Sequence, residues 1–135
     1  VNDVKLKIRE LTFEAAHYLP GHPKCGVIHG HTYLIRNLTI ETTEFVDFND
    51  VKAIVKNWDH MLIVPEDAIE FFVREVEPVL EKVNCRLKLR QVAGSPIVEN
   101  IAKQLAEELL KWLPGVTSIR FELYEGSNQG TVYER

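Results

Sequence analysis

The chain has 135 residues, a formal net charge of −4, 45% apolar residues and 27% charged ones. Those figures describe one globular domain, residues 1–135, able to bury about 68% of its unfolded surface. The small charge and the lack of a Lys/Arg block speak against nucleic acid. Without a run of 18 apolar residues or a leader pattern, no membrane partner and a cytoplasmic location are expected.

"VKLKIRELTFEAAH" (4–17) alternates as a strand, with one slip of phase. Val4, Leu6 and Ile8 are even, whereas Leu11, Phe13, Ala15 and His17 are odd. A bulge near Arg9–Glu10 is predicted, after which His17 points with the apolar side chains. "LPGHPKCGVIHG" (19–30), with two Pro and three Gly, reads as a loop. "HTYLIRNLTIETTEF" (31–45) reads as a second strand, antiparallel to the first.

"DFNDVKAIVKNW" (47–58) changes period, with Val51, Ile54, Val55 and Trp58 at helical spacing and Asn49 or Asp50 available as a cap. "PEDAIEFFVREVEPVLEKVN" (65–84) repeats that spacing through Ile69, Phe72, Val73, Val76, Leu80 and Val83, with a kink expected at Pro78. "CRLKLRQV" (85–92) alternates as a half-exposed strand, Cys85 being a small packed side chain and Arg86, Lys88 and Arg90 facing out. "SPIVENIAKQLAEELLKWLPG" (95–115) offers a Ser cap, a Pro at the first helical position and a buried stripe of Ile101, Leu105, Leu109 and Trp112. "VTSIRFELYEG", the turn "SNQG" and "TVYER" complete the chain as two strands. The fold class is α+β, an antiparallel sheet with helices on one face.

The chemistry concentrates in "HPKCGVIHGHTY" (22–33), which holds three of five histidines and one of two cysteines. His29 and His31, two apart on a strand, project to one face. His17 arrives beside them if the two strands form a hairpin. Three neutral imidazoles suit a zinc ion with a fourth position left open. Cys25 admits three readings: a fourth ligand closing a structural site, a catalytic thiol beside the open position, or an inert residue. His22 reads as a solvated loop side chain. Asp59–His60 is either a plain helix terminus or a relay orienting a proton-transfer imidazole. Glu125 continues the face of Ile119, Phe121 and Leu123, so its carboxylate heads inward and needs a protein cation or a ligand with adjacent N–H donors.

Together, "FEAAH", "CGVIHGHTY", "DFNDVK", "DH" at 59–60, "PIVEN" and "YEG" resemble the 6-pyruvoyltetrahydropterin synthase and 6-carboxytetrahydropterin synthase family along nearly the whole chain. The resemblance implies the tunnelling fold, with sheets joined into a barrel in a homo-oligomer, usually a hexamer. It implies zinc on His17, His29 and His31, and Cys25 as general base assisted by Asp59 and His60. It implies a small-molecule pterin substrate, 7,8-dihydroneopterin triphosphate, held by Glu125 with Glu99. The spacing C-x3-H-G-H resembles the 6-carboxytetrahydropterin synthases of 7-deazaguanine (queuosine and archaeosine) biosynthesis. A pyruvoyl-forming or dihydroneopterin-cleaving enzyme is the alternative, and a non-catalytic zinc-stabilised domain the alternative of another class. Two positions depart from the family pattern: Ile97 stands where Thr is usual, and Gly126 stands where Thr usually follows the glutamate.

Overall fold

The computed structural model describes residues 4–135. β1 (Val4–His17) and β2 (His29–Thr42) form a long antiparallel hairpin, from Val4 opposite Thr42 to His17 opposite His29. β5 (Val116–Glu125) and β6 (Gln129–Glu134) extend it antiparallel beyond β2. On the other side of β1 stand β3 (Met61–Pro65) and β4 (Leu89–Val92), both parallel, giving the order β4-β3-β1-β2-β5-β6. The α+β class holds, and the antiparallel sheet becomes a mixed one at this edge.

The phase change in β1 is present, because Arg9 and Glu10 are both exposed. It is not a bulge of β1 against β2. The β1–β2 register is the same before and after it, with Ile8 opposite Leu38 and Glu10 opposite Arg36. The two strands change face together, and the extra residue appears on β2 against β5, between Arg36 and Thr39. Asn37 takes it up with a φ of 53°, a conformation Asn tolerates better than most residues.

α1 (Phe48–Lys56) and α4 (Val98–Trp112) cover the face that carries Phe13, Tyr33, Ile35, Ile119, Phe121 and Leu123. Asp47, rather than Asn49 or Asp50, caps α1, its Oδ1 accepting from the Asn49 N–H at 2.8 Å. α4 starts later than expected, at Val98 behind Ile97, with no side-chain cap. The Ser95 carbonyl accepts from the Ile97 N–H and from Asn100 Nδ2, both at 2.8 Å. Ile101, Leu105 and Leu109 are buried, but Trp112 is exposed on the last turn.

The helices do not all share one face. After β3 the chain makes a 3₁₀ turn (Glu66–Ala68), α2 (Ile69–Phe71), a π-helical turn (Phe72–Val76) and α3 (Glu77–Glu81). Phe72 packs with Leu62 and Val64, alongside Ala16 and Leu87, in a second core separate from the main one that holds Ile63. β3 is apolar on both faces, so it needs a cover on each, and this segment supplies the second. Pro78 lies just after the π turn, where its missing N–H cannot continue an α-helical ladder. Val73, Val79 and Val83 are exposed. Cys85 is exposed too, because β4 begins only at Leu89.

Arg90 does not face solvent as its alternation suggested. It stacks over Trp58 at 4.2 Å and forks onto the Glu108 carboxylate, which also accepts from Trp58 Nε1 at 2.9 Å. This clasp ties β4 to α4 and to the end of α1.

Candidate active site

β1 and β2 end with His17 opposite His29, and His31 lies two residues further along β2 on the same face. One ligand atom from each ring lies within 4.8 Å of the others, so the group could hold a metal ion. His17 is buried, and its Nδ1 is 2.7 Å from the Pro96 carbonyl just before α4. His29 Nδ1 is 2.6 Å from the Val27 carbonyl. A carbonyl can only accept, so both Nδ1 atoms carry the proton and both Nε2 atoms present lone pairs. Those two Nε2 atoms face each other at 3.1 Å. Two neutral imidazoles cannot hydrogen-bond in that arrangement. Two bonds of about 2.0–2.1 Å to a shared tetrahedral zinc would put them at about that separation. The carbonyls orient the rings as outer partners of metal-ligating histidines commonly do. Burial also holds His17 below the usual imidazole pKa, while the Pro96 carbonyl and Glu125 oppose that shift. The neutral, ligating form is thereby favoured.

Beneath the rings Tyr33 stacks on Phe13 at 4.9 Å between centroids and meets His17 and His31 edge-on. Its hydroxyl is buried with no hydrogen-bond partner among the described residues. Burial, and secondarily the Glu125 charge, push its pKa up, so it stays protonated.

Glu125 sits opposite Tyr33 in the β2–β5 ladder. Its side chain is 17% exposed, and Oε2 lies 3.9 Å from His31 Nε2. No Lys or Arg pairs with it among the described residues. Gly126, where a hydroxyl residue was expected, has a φ of 70° and donates its N–H to the Thr32 carbonyl at 2.9 Å. The turn out of β5 therefore favours glycine there.

Cys25 is half-buried in the loop joining His17 to His29 and does not belong to the three-histidine group. Its carbonyl accepts from Leu19 N–H at 2.7 Å, and its N–H donates to His22 Nδ1 at 2.8 Å. The bond to His22 was not foreseen from the sequence. Glu99 lies in the first turn of α4, exposed, with no side-chain hydrogen bond among the described residues.

Asp59 and His60 do bond to one another, although neighbours in sequence seldom can. His60 has a φ of 61°, which swings its ring back so that Nδ1 meets Asp59 Oδ2 at 2.8 Å. The other carboxylate oxygen accepts from the Glu14 N–H at 2.8 Å, and the His60 N–H donates to the Glu14 carbonyl. The Glu14 N–H bond, ahead of the His60 bond, holds the Asp59 pKa below its ordinary value. A left-handed non-glycine residue costs on the order of 1–2 kcal/mol, and such strain clusters at functional sites. His60 borders an open hollow of about 500 Å³ that His31, Glu14, Thr32, Arg86 and Lys88 also line. Glu14 and Thr32 project opposite to the metal-facing residues, and no hydrogen bond joins the pair to Cys25 within the described residues.

Residues 7–135 match the family model of 6-pyruvoyl tetrahydropterin synthase. The chain belongs to this family. A Methanocaldococcus jannaschii protein, provisionally named 6-carboxy-5,6,7,8-tetrahydropterin synthase, is 31% identical over 147 residues, covering 93% of this chain and 90% of that protein. The Haemophilus influenzae 6-carboxy-5,6,7,8-tetrahydropterin synthase is 30% identical over 92 residues, covering 58% and 64%. Among solved structures, Plasmodium falciparum 6-pyruvoyl tetrahydropterin synthase superposes with a TM-score of 0.65 at 17% identity, covering 98% of both chains. The shared fold thus extends over the whole domain, the two-sided β3 region included.

Proposed function

We propose that this chain is a zinc-dependent 6-carboxytetrahydropterin synthase acting on 7,8-dihydroneopterin triphosphate, within 7-deazaguanine biosynthesis in the cytoplasm. The observation that carries the reading is the convergence of three imidazoles, two of them oriented by backbone carbonyls, and an inward carboxylate with no Lys or Arg partner among the described residues, at one end of the sheet. Relatives named for the carboxy-type product and the short C-x3-H-G-H spacing favour it over the pyruvoyl-forming alternative.

In this reading His17, His29 and His31 hold zinc, which supplies a Lewis acid that acidifies the substrate's side-chain hydroxyls. Glu125 accepts from the pterin amino and ring N–H groups, with Glu99 as its proposed companion in holding the substrate. Cys25, as thiolate, takes the carbon-bound proton. His60, held by Asp59, carries the proton onward. Since that pair faces the other side of its own sheet, a Cys25 of a second subunit is its natural partner. The open edges, β4 and β6, are unlike, so joining them between copies is head-to-tail, the kind of contact that builds a ring when the rotation closes, in keeping with the proposed hexamer of two trimers.

The test is to incubate zinc-loaded protein with 7,8-dihydroneopterin triphosphate and identify the products by mass. Carboxytetrahydropterin is expected; a pyruvoyl product selects the alternative. Cys25→Ala should keep about one zinc per chain and lose turnover. Loss of zinc in that variant would instead support the closed, structural site.

A further inference from the structure

The loop between His17 and His29 carries Cys25, and a loop with two Pro and two Gly has little intrinsic reason to hold one shape. Four of the hydrogen bonds that hold it run through His22, alongside the one from Leu19 N–H to the Cys25 carbonyl. His22 Nδ1 accepts from the Lys24 N–H at 3.1 Å and from the Cys25 N–H at 2.8 Å. The His22 backbone joins in, its N–H donating to the Leu19 carbonyl and its carbonyl accepting from the Gly26 N–H, both at 3.0 Å. A side-chain acceptor taking N–H groups two and three residues ahead is the arrangement that Asn and Asp make in Asx turns and helix caps. Pro23 fits it, having no N–H to offer and a fixed φ. Gly26 completes it, since a Cβ there would lie 2.6 Å from the His22 carbonyl oxygen. Because Nδ1 accepts twice, it must bear the lone pair, with the ring proton on Nε2.

We propose that His22 is a positioning residue for Cys25: its Nδ1 fixes the backbone on either side of the thiol and so sets where the sulfur stands. The inference rests on the reading of Cys25 as the proton-abstracting group. A proton transfer from carbon needs the base within about 0.5 Å of its productive place, and a solvated loop does not supply that by itself. The role of His22 is met entirely through the peptide groups of Lys24 and Cys25.

The experiment compares zinc-loaded wild type with His22→Ala and His22→Asn, the latter keeping a side-chain acceptor of the right reach. In His22→Ala the Lys24 and Cys25 amides should exchange hydrogen at least tenfold faster. Peptide-resolved alkylation of Cys25 by iodoacetamide should rise severalfold as the thiol leaves its half-buried position. With substrate, kcat should fall at least tenfold while KM stays within about twofold and zinc content is unchanged. His22→Asn should restore exchange, alkylation and kcat to within about threefold of wild type. Unchanged amide exchange, or faster exchange with unchanged kcat, overturns the proposal. If wild type itself leaves the pterin substrate intact, the proposed function fails, while exchange and alkylation still decide whether His22 places Cys25.

Discussion

Glu125→Gln isolates the proposed substrate anchor from the proposed metal site. The carboxylate is 17% exposed, and its ion-pair partner His31 lies at 3.9 Å, beyond hydrogen-bond length. Removing the charge therefore breaks no protein hydrogen bond and leaves the ligands of the metal in place. A pterin presents two neighbouring N–H donors to the two oxygens. Gln keeps one acceptor and turns an amide N–H₂ toward the second donor. Charge-assisted hydrogen bonds contribute about 1.5–3 kcal/mol, so the loss corresponds to roughly 10- to 150-fold in affinity. Calorimetric titration of sepiapterin or biopterin into zinc-loaded wild type and variant measures it, with metal content and melting temperature as controls. Equal affinities would refute the assignment of the pterin to this carboxylate.

Three other outcomes are expected. His60→Gly removes the imidazole and relieves a left-handed backbone, so it should raise stability by about 0.5–1 kcal/mol in urea titration while lowering kcat at least tenfold with little change in KM. Glu108→Ala strands the half-buried Arg90 and the Trp58 N–H, and should lower stability by about 2–4 kcal/mol, read from the urea midpoint, without altering zinc stoichiometry. The Asp59 pKa is lowered in the fold, so the unfolded chain binds the proton more readily. Its contribution to stability is complete above the ordinary carboxylate range and is lost as pH falls through the depressed value. Asp59→Asn should accordingly flatten the acid limb of the urea midpoint against pH.

The metal-facing set was legible because strand alternation is a strict rule: once the phase slip in β1 is noticed, His17 must share a face with Phe13 and Ala15, and His29 with His31 and Tyr33. Its origin was less legible, since only the pairing with β5 reveals that Asn37, not Arg9, absorbs the extra residue. β3 was hidden for the opposite reason. "MLIVP" is apolar on both faces and too short to show a period, so nothing in it distinguishes a strand from the tail of α1. That omission also concealed the second core and put all the helices on one side. Arg90 read as solvated because alternation describes a strand, not the Trp58 ring and Glu108 carboxylate that another element brings to it. His22 and His60 act through backbone geometry, an amide pair in one case and a positive φ in the other. Residue spacing is silent about both.

His17 and His29, the proposed ligands, are also the last facing pair of the β1–β2 hairpin, at the mouth of the loop 18–28. A zinc ion across them is a cross-link that turns the loop into a closed ring. Hairpin mouths ordinarily fray, and excursions of a loop this size explore many shapes. For a covalent bridge the chain-entropy account assigns a closure of this length about 3 kcal/mol. A metal clip does not act on the fully unfolded chain in that way, because the ion leaves with unfolding. It acts instead on partial opening, since neither strand can peel back without giving up a ligand. The loop end of the hairpin becomes its least yielding part, and removing the ion with a chelator should show first as protease cleavage between His17 and His29, before any change in the rest of the fold.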